Sequence, residues 1–258
     1  MKRRQLAFDV AGSECFASLD DGARTAGLLI VTGGNEIRSG PARIQAELAE
    51  RIAARGYPVL RYDRRGIGDS EGENAGYRGA REDLAAAVAA FRAAAPHIQR
   101  VVGYGNCDAA SLLMLESGGG VDALALANPW TFEDDAAPEA DPQALRAHYR
   151  QRLKSGSAIR RVLRGEVKLG AVVKSLMAML RPAPRSNGLA EELRAGLERF
   201  DGPVAILIAE LDRTGRQFRA SWPKRDRRIA TCADASHAFI EPSSLEWLEG
   251  QLLKLLEH

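Results

Sequence analysis

Short apolar runs alternate with helix-period runs at both ends of this 258-residue chain, and the long stretch between them reads as helical throughout. That alternation limits the fold more than any other feature, because strand, helix and strand in succession close most readily as a parallel βαβ unit. Ala26–Thr32, Pro58–Tyr62, Arg100–Tyr104, Val121–Ala127, Val204–Ile208 and Arg228–Cys232 read as strands. Pro41–Arg55, with Ile44, Leu48 and Ile52 on one face, reads as a helix, as do Arg81–Ala95, Ala109–Leu115 and Ser243–Leu255. Leu6, Phe8 and Val10 alternate as in an antiparallel hairpin. The expectation is an α/β fold, a doubly wound and mostly parallel sheet with a helical cap inserted after the sixth strand. The core would span 1–130 and 200–258, and the insertion 131–199. Such sheets bind ligands beyond the carboxyl ends of their strands, which is where the insertion would sit.

Composition removes whole classes. Hydrophobic residues make up 45% of the chain and charged residues 27%, as in an ordinary globular protein. No apolar run approaches the roughly 20 residues of a membrane span. Three cysteines, Cys15, Cys107 and Cys232, make no disulfide framework, so a reducing, cytoplasmic compartment is expected. The net charge of +2 conceals an asymmetry: Gln143–Arg185 carries eleven Lys or Arg and one acid, Glu166, against a net −8 elsewhere. A separate basic unit is implied.

The sharpest chemical signal is Gly103-Tyr104-Gly105-Asn106-Cys107-Asp108-Ala109-Ala110. A strand ends, a tight turn follows and a helix of small residues begins. This is the form of a nucleophile elbow, G-x-S-x-G, with Cys107 at the serine position and Ala109 at the second glycine. A thiol at a helix N-terminus is favoured as thiolate. Asp212 falls just past the strand Val204–Ile208, and His237 lies between the last strand and the last helix. Nucleophile, acid and histidine thus follow one another at three strand ends, with Glu210 the competing acid two residues before Asp212. Val31-Thr32-Gly33-Gly34-Asn35 leaves a strand through paired glycines, so the N–H groups of Gly34 and Asn35, with that of Asp108, are candidate oxyanion donors.

The chain resembles an α/β-hydrolase, and Asp63–Ser70 (DRRGIGDS) is similar to the D-x-R-G-x-G-x-S loop of that fold. More narrowly it resembles the exosortase A system-associated hydrolase 1 family, through TGGNEIRSGP at Thr32–Pro41, DRRGIGDSEG at Asp63–Gly72, GNCDAAS at Gly105–Ser111 and NPW at Asn128–Trp130. The resemblance implies Cys107 as nucleophile, His237 as base and acid, and Asp212 orienting the imidazole. It also implies a setting among exopolysaccharide genes. A cysteine at the elbow is similar to dienelactone hydrolases and suits hydrolysis or acyl transfer equally. Two readings therefore stand: an ester or thioester hydrolase or acyltransferase, and a non-catalytic scaffold whose basic cap holds an anionic partner.

In the insertion, Arg146, Arg150, Arg160 and Arg161 lie among Tyr149, Leu153, Ile159 and Val162, a basic amphipathic pattern. It suits an acidic carrier protein, a coenzyme A thioester, an anionic polysaccharide or peripheral membrane contact. No nucleic-acid module, cofactor or metal is expected.

Overall fold

The computed structural model describes residues 2–132 and 187–257. Residues 1–131 and 188–258 form one compact unit around a single sheet. The strands are β1 (Arg3–Val10), β2 (Ser13–Asp20), β3 (Ala26–Val31), β4 (Val59–Tyr62), β5 (Arg100–Asn106), β6 (Ala123–Ala127), β7 (Val204–Ala209) and β8 (Ile229–Cys232). Their order in space is β1-β2-β4-β3-β5-β6-β7-β8. The β1–β2 hairpin joins β4 antiparallel, and all other pairings are parallel. This is the mostly parallel sheet expected from the alternation of apolar runs, in the α/β-hydrolase arrangement that the resemblance implies.

Six α-helices are described: α1 (Ile44–Ala54), α2 (Arg81–Ala94), α3 (Asp108–Leu115), α4 (Asn187–Glu198), α5 (Arg213–Ser221) and α6 (Pro242–Glu257). The sheet sorts them by the two-residue period of its strands. In β3, Leu28 and Ile30 face Ile44, Leu48 and Ile52 of α1 and Leu245, Leu248 and Leu252 of α6. Leu29 and Val31 belong to the opposite layer, with Leu84 and Phe91 of α2, Leu113 of α3 and Phe218 of α5. The chain leaves α2 through Ala95, whose following Pro96 disfavours helical backbone at that point.

Two features differ from the sequence reading. The helix α4 falls in the stretch assigned to the insertion, yet Leu189, Leu193 and Leu197 are buried in the core layer, so the core resumes near residue 188. Four-residue spacing puts these leucines on one helix face, but the spacing does not say which surface that face covers. The helix α5 was not anticipated. Its sequence, RTGRQFRAS, holds one large apolar residue, Phe218, and so lacks an apolar period. Arg146, Arg150, Arg160 and Arg161 lie outside the described residues.

Candidate active site

Cys107 stands between β5 and α3 with φ 61° and ψ −125°, a conformation that a residue with a Cβ adopts only under strain of about 1–3 kcal/mol. The neighbours make the turn possible. A Cβ on Gly105 would come within 2.7 Å of the Ala109 carbonyl carbon and 2.8 Å of the Ala110 nitrogen, so only glycine lets β5 and α3 meet this closely. Ala109, at the position of the usual second glycine, is fully buried. Main-chain bonds complete the elbow: Cys107 N–H donates to Ala127 O at 3.0 Å, and Cys107 O accepts from Trp130 N–H at 3.2 Å.

Asp212 follows β7 and caps α5, its Oδ2 accepting Gly215 N–H at 2.8 Å. The same oxygen lies 3.0 Å from His237 Nδ1. The Cys107 side chain also interacts with the His237 ring and helps to raise its pKa. Asp212, His237 and Cys107 thus form a continuous row, with Asp212 buried and the His237 side chain 40% exposed. Burial pushes the Asp212 carboxyl up, but the His237 bond and charge, with the Gly215 and Thr214 N–H groups, outweigh it, and the group sits below its ordinary range. His237 is raised to about 10, first by its bond to Asp212 and then by its bond to Cys107, against the effect of burial. The row therefore favours an imidazolium beside the Asp212 carboxylate. Glu210, the competing acid, is exposed to solvent.

A clamp that the sequence did not reveal holds His237 in place. Asn106 Nδ2 and Asn128 Nδ2 donate to the His237 carbonyl at 3.0 and 3.1 Å, and Asn128 Oδ1 accepts Ala209 N–H at 2.8 Å. Asn128 is fully buried and has φ 42°, a left-handed value that asparagine tolerates better than most residues. One amide thus joins the ends of β5 and β7 to the histidine loop. The NPW motif marks the residue, but its partners are remote in sequence.

The oxyanion expectation needs one correction. Gly34 N–H is engaged: it donates to both Asp108 carboxylate oxygens, at 2.8 and 2.9 Å. A carboxylate one residue past the nucleophile position is long enough to reach the paired-glycine loop, where Gly33 carries no Cβ to block it. Asn35, whose side chain accepts from Asn74 Nδ2 at 2.8 Å, and the main chain of Asp108 remain the donors to consider. The DRRGIGDS loop braces this segment: the buried Arg64 donates from Nη2 to Gly34 O. Glu36, in the same segment, has its carboxyl pushed up chiefly by burial; His237 opposes the rise and Asp108 adds to it. Among the described residues the exposed large apolar side chains are Ile37, Leu211 and Ile240, one in each of the loops carrying Gly34, Asp212 and His237.

Residues 36–249 match the model of the alpha/beta hydrolase family. The chain belongs to that family, and it is an enzyme of the hydrolase type. Among solved structures it is similar to the alpha/beta hydrolase GrgF from Penicillium sp. sh18, at 17% identity and a TM-score of 0.65 over 100% of this chain and 98% of that one. The esterase Pf2001 of Pyrococcus furiosus matches at 16% identity and a TM-score of 0.62, over 99% and 90% of the two chains. Est1E from Butyrivibrio proteoclasticus, solved with ferulic acid, matches at 16% identity and 0.62, over 98% and 100%. Among curated proteins no sequence match is found. Among the described residues no helix is long and apolar enough to cross a membrane.

Proposed function

We propose that the protein is an acyl hydrolase or acyltransferase that passes an ester or thioester acyl group through a covalent acyl-cysteine at Cys107. The observation that carries this reading is the row of Asp212, His237 and Cys107, with His237 Nδ1 3.0 Å from the Asp212 carboxylate and the cysteine held on a strained elbow. Cys107 as thiolate attacks the acyl carbonyl, and the carbonyl electrons move onto oxygen. The carbonyl reforms as the leaving alkoxide or thiolate departs, taking the proton of the His237 imidazolium. Neutral His237 then removes a proton from water or an acceptor alcohol, which attacks the acyl-cysteine and restores the thiolate–imidazolium pair. Asp212 fixes the tautomer, so the ring nitrogen facing the sulfur is the one that exchanges the proton.

The esterases among the structural relatives and the apolar side chains Ile37, Leu211 and Ile240 around the row support an acyl substrate. The basic insertion suits a coenzyme A thioester or an acidic carrier protein as the source of the acyl group. The four motifs shared with the exosortase A system-associated hydrolases add the setting, exopolysaccharide assembly.

The scaffold reading has one observation in its favour, the Asp108 carboxylate bound to an expected oxyanion donor. One experiment separates the two. The protein is mixed with aryl esters and acyl thioesters, quenched and digested, and the peptide containing Cys107 is weighed. An acyl adduct on Cys107 that vanishes in Cys107→Ala together with turnover supports the enzyme. Turnover that persists in Cys107→Ala overturns the mechanism, and absence of both adduct and turnover favours the scaffold.

A further inference from the structure

The face of the sheet that carries α1 changes character toward its β1 edge. Strand register places Gln5, Ser18 and Arg61 in one row that continues to Ile30 of β3. Ile30 is covered by the apolar side chains of α1, whereas the outer part of the row opens on a recess of about 330 Å³. Four arginines, Arg3, Arg38, Arg43 and Arg61, line it.

The carboxylates at this recess do not exhaust those donors. Asp20 is fully buried and takes Arg3 Nε at 2.6 Å and Arg3 Nη2 at 3.2 Å, with Arg61 Nη2 at 3.6 Å. Asp63, also fully buried, takes the Arg38 N–H and Arg38 Nη1. Asp69 is largely exposed and reaches Arg38 Nη2 only at 3.8 Å. Arg3 Nη1 and the whole Arg43 guanidinium have no partner among the described residues, and the buried Arg61 Nε is likewise unpaired. A buried donor without an acceptor is unfavourable by about 1–3 kcal/mol. The arginines thus present more N–H groups than the protein answers with oxygen, and one positive charge remains in excess.

The backbone puts Arg43 there at some strain. Ala42 and Arg43 have φ 48° and 63°, left-handed values in two successive residues that are not glycine, just before α1. Such strain is concentrated at functional segments.

We propose that this recess is a binding site for a phosphate group. Several guanidinium donors converging from different strands and loops match a tetrahedral oxyanion with several acceptor oxygens. At about 30 Å³ per water the space holds roughly ten waters, more than inorganic phosphate needs, so a phosphate monoester fits. The recess also touches the loop of the candidate active site: Arg61 Nη1 donates to Arg38 O at 2.7 Å, and Arg38 follows Glu36 by two residues. The binding claim stands apart from the reaction proposed above, and only the assignment of the phosphate to a substrate rests on it.

The test uses the full chain. Its unfolding temperature is followed against inorganic phosphate and against sodium chloride at matched ionic strength, for the wild type, Arg43→Ala and Arg43→Glu. Arg43 is exposed and unpaired, so both variants are expected to fold. The site predicts a saturable, phosphate-specific rise, at least about fivefold weaker in Arg43→Ala and abolished in Arg43→Glu. A rise no greater than with chloride, or wild-type phosphate binding in Arg43→Glu, overturns it. A second arm compares acyl-phosphopantetheine with acyl-pantetheine. A KM increase in Arg43→Ala confined to the phosphorylated substrate places the phosphate on the substrate, and equal KM values assign the bound ion to free phosphate. Both outcomes stand on the first arm, which reads even if no acyl substrate turns over.

Discussion

Asp108 reaches back across the elbow so that both of its carboxylate oxygens accept the backbone N–H of Gly34, at 2.8 and 2.9 Å. The bond fixes the paired-glycine segment beside Cys107. It also sets a negative charge where the proposed reaction develops a second one on the acyl oxygen. Asparagine keeps an acceptor for Gly34 N–H and removes the charge, whereas alanine removes both. Asp108→Asn is therefore expected to raise the acylation rate severalfold, and Asp108→Ala to lower it by releasing the loop. Pre-steady-state acylation of Cys107 by an aryl ester measures both, and a slower Asp108→Asn enzyme contradicts the repulsion argument.

Asp212 has two duties on one oxygen, capping α5 and holding His237. Asparagine caps a helix about as well as aspartate, so Asp212→Asn separates them. It is expected to keep the cap but lose the pair with His237, so that the unfolding temperature falls below the wild type near pH 6 and approaches it beyond about pH 10, while acylation falls by roughly a hundredfold or more. Asp212→Ala loses the cap as well, and stability drops by about a further 1 kcal/mol. Equal activity in Asp212→Asn and the wild type would remove Asp212 from the reaction.

The raised pKa of His237, about 10 in the folded protein, lies above its unfolded value near 6.5. The folded state therefore holds this proton more tightly. The stability it contributes is complete below about pH 6.5 and is lost as pH rises through about 10. Asp212 has the opposite sign: its contribution is complete above the ordinary carboxylate range and lost as pH falls below it. The difference in unfolding temperature between the wild type and His237→Gln should be widest near pH 6 and should close beyond about 10. A difference independent of pH would contradict the ion pair.

Most strands were legible because each is a short apolar run ended by glycine, proline or a charge. Cys107, Asp212 and His237 could be singled out because each lies just beyond a strand. What escaped the sequence depends on contacts between distant segments. Gly34 and Asp108 are 74 residues apart, Asn128 and His237 are 109 apart, and no local pattern records either bond. The helix α5 escaped for another reason: Thr214, Gly215 and Phe218 are its buried residues, too few large apolar side chains to show a period.

The central claim, that Cys107 is a nucleophile activated by His237, is tested most directly by alkylating the native protein with iodoacetamide across pH and locating the label by mass spectrometry. Cys15 and Cys232 serve as internal references, since burial is the leading cause that pushes both thiols up. Cys107 is expected to react at pH 6 more than about tenfold faster than Cys232 and to lose that advantage in His237→Ala. Labelling of Cys107 no faster than Cys232 at pH 6, or a rate indifferent to His237→Ala, would contradict the account.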